Sequence, residues 1–252
     1  MGLLIDDAVA IIKGHQNIIA NGNVICLGRP KIYFTSQEIN SLSKKLGIKW
    51  NPINDKINAE IFFKNLGYKR MIVIDNSFYE KPNFTIDLNN SIENLDLKCF
   101  ADLIIDCGTS HYIFDTKVLF ENIFFLLKPQ GSVYHSVPVN GYYDQGYYQF
   151  SPSLLLDLYR DEFEIYSANF FDPSNQKKII NYQRNNYYNN SNLKSSKLIF
   201  SLFVNKLNRN TQFKHPQFEY YRNSSIITNI TNKSVYDKRN LLKKLYKFLW
   251  VQ

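Results

Sequence analysis

The sequence predicts an α/β protein built on a mostly parallel sheet that carries helices on both faces. Short β-branched apolar runs alternate with segments whose apolar residues recur at helical spacing. Each early run stops at a glycine or an aspartate, where a chain leaves a strand for a turn. The chain has 252 residues and is 44% hydrophobic and 21% charged, so it can bury a sizeable core in one domain. Alternation of this kind implies parallel strands covered on both faces.

The N-terminal stretch, residues 1–22, predicts an amphipathic helix that ends near Gly22, because its apolar residues recur at helical spacing. It differs from a signal peptide in carrying Asp6 and Asp7 and in lacking a positively charged start. The first strand, "VICLG", then runs into a turn at Gly28. Two helical patterns follow it, "SQEINSLSKKLGI" and "NAEIFFKNLGY".

Three more strands are predicted to end in an aspartate, and they are "RMIVIDNS" at Asp75, "NFTIDLNN" at Asp87 and "ADLIIDCGTS" at Asp106. The next helix, "DTKVLFENIFFLLKPQG", should stop at Pro129 and Gly131. A fifth strand, "GSVYHSVPV", leads into a tyrosine-rich loop.

The last predicted helix, "SPSLLLDLYRDE", begins with a serine cap followed by proline. Two late strands, "FEIYSANFF" and "SKLIFSLFVNKL", flank a polar, Asn-rich stretch that predicts an extended loop.

The strand-end aspartates point to a polar ligand. In open α/β sheets, ligands bind beyond the carboxyl ends of the strands, which is where all three should lie. A single aspartate there is typical of a turn or a helix cap, and that alternative stays open for each. Asp75 is placed to accept hydrogen bonds from the two hydroxyls of a ribose, and Asp87 from an exocyclic amine, with Leu88 against the ring. Gly108, beside Asp106, allows close approach of the backbone.

The order and spacing of these motifs resemble the class I, Rossmann-like S-adenosylmethionine-dependent methyltransferases. The resemblance covers about residues 22–207 and rests on "VICLGRP", "MIVIDNS", "FTIDLNN", "ADLIIDCGTSHYIF", "LLKPQGSVYHSVP" and "GYYQFSP". Within this family, the sequence more narrowly resembles a divergent branch in which the first turn reads Leu-Gly-Arg. It implies a seven-stranded sheet whose last strands are antiparallel, S-adenosylmethionine as cofactor, and methylation of a small molecule or a saccharide.

The resemblance also implies the cofactor site. Its residues would be Gly28, Arg29, Asp75, Asn76, Asp87, Leu88, Asp106 and Gly108. The chain departs from the family pattern in the first turn, where the usual Gly-x-Gly-x-Gly is reduced to Gly28 followed by Arg29, and at Ser110, where the branch has Glu. These departures keep a second hypothesis open, a catalytically inactive relative that serves as a binding or scaffold protein.

His111 is the candidate catalytic base, since it follows the fourth strand and an imidazole titrates near neutrality. A histidine that caps a helix is the alternative. His135, inside the fifth strand, is interpreted as structural. The loop "NGYYDQGYYQFSP" is either a lid over the methyl acceptor or a set of aromatics packed on their own helix.

Composition restricts the possible partners. The net charge of +8 is spread along the chain, and basic and aromatic residues do not interleave as in nucleic-acid binders, so a nucleic-acid partner is not expected. The three cysteines have no metal-ligand spacing and are typical of reduced thiols in the cytoplasm. No apolar run is long enough to span a bilayer.

Three parts of the chain are predicted: the N-terminal helix at 1–22, the methyltransferase-like domain at 23–207, and an extension at 208–252. In the extension, residues 236–250 predict a basic amphipathic helix. Such a helix packs on its own domain or contacts a membrane surface or a protein partner.

Overall fold

The computed structural model describes residues 2–15, 21–47, 50–54, 56–173, 179–182, 197–207 and 213–218. By its internal contacts the chain divides into two compact units, residues 1–215 and 216–252. The amphipathic helix expected at 236–250 lies outside the described residues. No helix within the described ranges has the length and apolar character required to cross a bilayer.

Ten strands are present in the described part of the chain. They are β1 (Gly2–Leu3), β2 (Asn23–Leu27), β3 (Lys31–Ile32), β4 (Arg70–Asp75), β5 (Phe84–Thr85), β6 (Ala101–Asp106), β7 (Leu127–Asn140), β8 (Phe163–Phe171), β9 (Ile179–Asn181) and β10 (Leu198–Lys206). β1 and β3 form a small parallel pair. The other eight form one sheet in the order β5-β4-β2-β6-β7-β10-β8-β9. The first five strands of this order are parallel, and β10 runs antiparallel to both of its neighbours.

Helices cover both faces of the sheet, as predicted. They are α1 (Ile5–His15), α2 (Ser36–Lys45), α3 (Ala59–Asn65), α4 (Thr116–Leu126) and α5 (Pro152–Tyr159). The first three pack on one face, in a core that includes Val24 and Leu103. The last two pack on the other face, in a core that includes Ile25 and Ile104. Successive side chains of a strand point to opposite faces of the sheet, so successive residues of one buried strand pack in different cores.

Local sequence signals explain where several helices begin. α5 starts at the predicted cap, because the Ser151 side chain accepts from the Ser153 N–H and Pro152 occupies the first turn. α2 starts at a reciprocal capping box between Thr35 and Glu38.

Two sequence expectations need correction, and a third is only partly covered by the described residues. The sheet has eight strands rather than seven, because the Asn-rich stretch expected to be a loop supplies β9, which pairs with β8. α4 ends at Leu126, before Pro129, since Leu127 already has extended backbone and pairs with Ala101 in β6. "LLKPQG" is therefore mostly the start of β7. The N-terminal helix is described only to His15, so its expected end near Gly22 falls partly outside the described residues.

Candidate functional site

A cleft opens at the carboxyl ends of β2, β4 and β6. β2 lies between β4 and β6 in the sheet, and Leu27 pairs with Ile74 on one side and with Asp106 on the other. The chain runs from β2 toward β4, while β6 lies on the opposite side of β2. Connections that leave in opposite directions create a crevice, and ligands of open α/β sheets bind there.

Gly28 and Asp75 face each other in this cleft. Gly28 has a positive φ of 73°, and its N–H donates to the Ile74 carbonyl at 2.7 Å. A Cβ at this position would lie 2.7 Å from Thr109 Oγ1 and 3.6 Å from Asp75 Oδ2, so a side chain here would fill the cleft. Asp75 Oδ1 accepts from the Ser77 N–H at 2.9 Å. Asp75 Oδ2 is the oxygen that lies beside Gly28.

Arg29 lines the same cleft, but its guanidinium binds the protein itself. Nε donates to the Glu80 carbonyl at 2.7 Å, Nη2 donates to the Lys81 carbonyl at 2.9 Å, and Nη1 pairs with the Glu60 carboxylate. Arg29 therefore ties the first turn to the 3₁₀ turn Phe78–Glu80, which follows β4. We call these contacts of Arg29 with Glu60, Glu80 and Lys81 the Arg29 latch.

The remaining residues predicted after β4 and β5 are not among the described residues that line the cleft. Asn76 is exposed, directly after Asp75. Asp87 is half-buried, and its Oδ1 accepts from both the backbone and the side-chain N–H groups of Asn89, at 2.9 and 2.7 Å. Leu88 is a buried member of the core that α4 and α5 cover. Asp87 thus acts in a turn, and the Leu88 side chain packs inward.

Asp106 is buried on the α5 side of the sheet. Its Oδ2 lies 2.7 Å from His135 Nδ1, and His135 Nε2 lies 2.7 Å from the Tyr159 hydroxyl. Its Oδ1 accepts from the N–H groups of Thr109 and Ser110 at 2.9 and 3.1 Å. Burial opposes ionisation of Asp106, but the hydrogen bond and charge of His135 and the donors of Ser110 hold its pKa below the usual range. The carboxylate anchors the loop after β6 instead of facing the cleft.

His111 lies in that anchored loop, within the 3₁₀ turn Ser110–Tyr112. It is only 4% exposed, and burial lowers its pKa from the ordinary value of 6.5. Its Nδ1 is buried and has no hydrogen-bond partner among the described residues. A neutral imidazole with a free nitrogen is the form that accepts a proton.

A second cavity, of about 230 Å³, adjoins the cleft, and Cys107 lines both. His111 and Gly108 lie on its wall, together with Tyr142 and Gln145 of the tyrosine-rich loop. That loop is fastened over the turn that carries His111, because the N–H groups of Tyr147 and Tyr148 donate to the His111 carbonyl at 2.8 and 3.2 Å. We call this space the His111 cavity.

Two further residues of these spaces were not assigned from the sequence. Thr109 lines the cleft, and its hydroxyl donates to the Leu27 carbonyl. Asp7, from α1, lines the His111 cavity and is 1% exposed. A weak signal was present for each: Thr109 stands in a quoted motif, and Asp7, with Asp6, is a charged residue in an otherwise apolar part of the predicted N-terminal helix. Within the described ranges, no cluster of three or more His, Cys, Asp or Glu side chains is placed to hold a metal ion.

No protein-family model and no curated protein matches this chain. Among solved structures, a Burkholderia thailandensis 1,6-didemethyltoxoflavin-N1-methyltransferase matches at 15% identity and a TM-score of 0.45, over 79% of this chain and 76% of that one. The N-methyltransferase NodS of Bradyrhizobium japonicum matches at 9% identity and a TM-score of 0.45, over 81% and 96%. A SAM-dependent methyltransferase of Archaeoglobus fulgidus matches at 12% identity and a TM-score of 0.44, over 79% of this chain and 92% of that one.

Proposed function

We propose that this protein is an S-adenosylmethionine-dependent methyltransferase that acts on a small-molecule or saccharide acceptor. The observation that carries the proposal is the cleft at the switch point of the sheet, where Asp75 Oδ2 lies beside a glycine that must remain without a side chain. In α/β nucleotide sites, the ribose hydroxyls bind to a carboxylate at the end of the strand that lies beside the first strand.

The residues present fit the nucleoside part of this cofactor. Asp75 supplies an acceptor for the ribose hydroxyls, and Gly28 lets the backbone approach the ligand closely. The turn holds one glycine, and Pro30 in it has no N–H, so it lacks the glycine-rich backbone that cradles a pyrophosphate. That difference favours a nucleoside with a sulfonium group over a dinucleotide. Bound there, the cofactor would supply an electrophilic methyl group.

His111 is proposed as the base. Methyl transfer to an oxygen or nitrogen acceptor requires alignment of the nucleophile, exclusion of water and removal of one proton. The His111 Nδ1 atom is buried, without a partner among the described residues, and on the wall of the cavity that adjoins the cleft. In the proposed role, His111 would take that proton from an acceptor held in the cavity.

A second candidate function is a non-catalytic binding or scaffold protein with the same fold. The observation that favours it is the Arg29 latch, which ties the first turn to the turn after β4 and leaves that turn with a single glycine. Under this hypothesis, the cleft is a remnant that no longer binds a nucleoside.

Titration of the full chain with S-adenosylhomocysteine distinguishes the two. We expect saturable binding by calorimetry and a rise in melting temperature, because a ligand bound only by the folded state stabilises it by mass action. A well-folded protein that shows neither at millimolar ligand would leave the scaffold hypothesis in place.

Asp75 variants test the site itself. Asp75→Ala removes two charge-assisted hydrogen bonds and should weaken S-adenosylhomocysteine binding by about 2–4 kcal/mol, roughly thirty-fold to several hundred-fold. Asp75→Asn, which keeps the shape and one acceptor, should fall between wild type and alanine. Asp96→Ala, at an exposed aspartate outside the cleft lining, is the matched control and should bind as wild type. Equal binding by all three variants would show that Asp75 does not contact the ligand.

A further inference from the structure

The His111 cavity has room for a ring-bearing ligand. Its volume of about 230 Å³ exceeds the roughly 150 Å³ of a protein cavity that holds benzene. It lies between the N-terminal segment and the loops after β6 and β7, and it meets the cofactor cleft at Cys107. A molecule held in it would be next to whatever the cleft binds.

Asp7 places a buried carboxylate in this cavity. Its Oδ1 accepts from the Tyr134 hydroxyl at 2.6 Å, and its Oδ2 accepts from the Leu4 N–H at 2.7 Å. Burial raises its pKa to about 6, while these two donors and the Ser136 side chain oppose the rise. A carboxylate oxygen has more than one lone pair, so each retains the capacity to accept again. No lysine or arginine occurs among the described residues that line the cavity.

His111 adds a second acceptor to the same wall. Its Nδ1 is buried without a partner within the described part of the chain, and it is the nitrogen of a ring held under the tyrosine-rich loop. Two acceptors on one wall form a site for a ligand that donates several hydrogen bonds. A carboxylate or a phosphate would meet repulsion from Asp7.

Aromatic rings complete the lining. Tyr33 is 58% exposed and Tyr112 is 46% exposed, so both stand at the mouth of the cavity, and Tyr142 lies half-buried on its wall. Tyrosine faces attract cations through the ring quadrupole, and the attraction grows when water is excluded. Acceptor groups at the bottom and aromatic faces around the entrance are the chemistry that binds an organic ammonium.

We propose that the His111 cavity binds the methyl acceptor, that this acceptor carries an amine, and that Asp7 selects it. The proposal rests on the methyltransferase function above and narrows its substrate class. The ammonium group donates to Asp7 and to His111 Nδ1, and the carbon skeleton of the acceptor packs between the tyrosines. Asp7 is a specificity-determining residue in this arrangement, contributed by a helix outside the main sheet.

The test compares three probes that share one phenol ring: tyramine, the uncharged 4-ethylphenol, and the anionic 3-(4-hydroxyphenyl)propionate. They are titrated into the full chain saturated with S-adenosylhomocysteine. We expect tyramine to bind about tenfold or more tightly than 4-ethylphenol, and the propionate to bind most weakly. Asp7→Asn should reduce tyramine to the level of 4-ethylphenol. Asp6→Asn, the neighbouring aspartate that lines a different cavity, should keep the wild-type order.

Several outcomes overturn the proposal: no tyramine binding at millimolar concentration, equal binding of tyramine and 4-ethylphenol, or an Asp7→Asn variant that keeps the preference. If S-adenosylhomocysteine does not bind but tyramine binds through Asp7 in the free chain, the methyltransferase function fails and the amine site stands. If S-adenosylhomocysteine binds and tyramine shows no preference, the amine acceptor fails and the function stands.

Tyr134→Phe keeps the test decisive if Asp7→Asn does not fold. It retains the carboxylate and removes a donor that favours its ionised form, so the pH midpoint of tyramine binding should rise. The other titratable groups around Asp7 are Asp6 on its own helix, Cys107 and His111 after β6, and Tyr142 in the loop after β7, and the variant leaves them unchanged. An unchanged midpoint would contradict a role for Asp7 in binding the amine.

Discussion

At the scale of single residues, three aspartates with the same sequence context have three different roles. Asp75 pairs with Thr85 near the edge of the sheet, and its carboxylate reaches the cleft beside Gly28. Asp87 closes a turn with Asn89. Asp106 pairs with His135 in the adjacent strand, so both side chains point into the core on the α5 side. The pairing register of each strand and the face of the sheet to which the side chain points decide the role of each aspartate. Neither follows from the sequence motif alone.

The Asp106–His135 pair predicts strong coupling in stability. His135→Leu leaves the Asp106 carboxylate buried without its partner and should cost about 3–5 kcal/mol. Asp106→Asn keeps an acceptor for the Thr109 and Ser110 N–H groups, so it should cost less. The double variant should lose about 1–3 kcal/mol less than the sum of the single losses. Urea unfolding of the four proteins measures this, and additive losses would show that the pair is not coupled.

At the scale of elements, the alternation of strands and helices and the cap of α5 were predictable, because each depends on residues near in sequence. β9 was not, since Ile179–Asn181 lies in a polar, Asn-rich stretch typical of a loop and forms a strand by pairing with Asn169–Phe171 of β8. The early start of β7 was also missed, because pairing with Ala101 overrides the helix-ending signal of Pro129. Long-range pairing is the information that local pattern lacks.

The tyrosine-rich loop gives a prediction at this scale. Gly146 has a φ of 113°, and a Cβ there would lie 2.9 Å from the His111 carbonyl and still closer to its ring. Gly67 has a φ of 94° with nothing within 4 Å of such a Cβ, so Gly67→Ala reports backbone strain alone. We expect Gly67→Ala to cost about 1 kcal/mol and Gly146→Ala at least about 1 kcal/mol more. Chemical denaturation measures both, and equal losses would mean that the loop does not press on His111.

At the scale of the whole molecule, the candidate site draws on parts that the sequence analysis separated. Residues 1–215 form one compact unit, and Leu3, Ile11 and Ile12 belong to the core that covers β2 and β6. The N-terminal helix therefore contributes Asp7 to a cavity that is also lined by β7, β10 and the loops after β6 and β7. Gly28, Asp75 and His111 were predictable, because each follows a recognisable strand. Asp7 was not, because its neighbours across the cavity are about a hundred residues away.

Weak binding of nucleic acid remains a prediction at this scale. The net charge of +8 is spread along the chain, so few counterions would be released at any one place. Whatever binding occurs should be independent of sequence and disappear at moderate salt.

Asp7 also predicts how the stability of the whole protein changes with pH. Its pKa is about 6 when folded and 3.8 in the unfolded reference, so the folded state favours the protonated form. The stability that Asp7 contributes is therefore complete below about pH 4 and is lost as the pH rises through about 6, a change on the order of 3 kcal/mol. Asp7→Asn does not titrate, so its free energy of unfolding, relative to wild type, should increase by about that amount from pH 4 to pH 7.

Glu38 offers a contrast of opposite sign, because its hydrogen bonds to Thr35 lower its pKa. Glu38→Gln should become less stable relative to wild type as the pH rises through the ordinary carboxyl range. Urea unfolding at a series of pH values measures both differences, and a flat difference for Asp7→Asn would show that Asp7 is solvated in the folded protein.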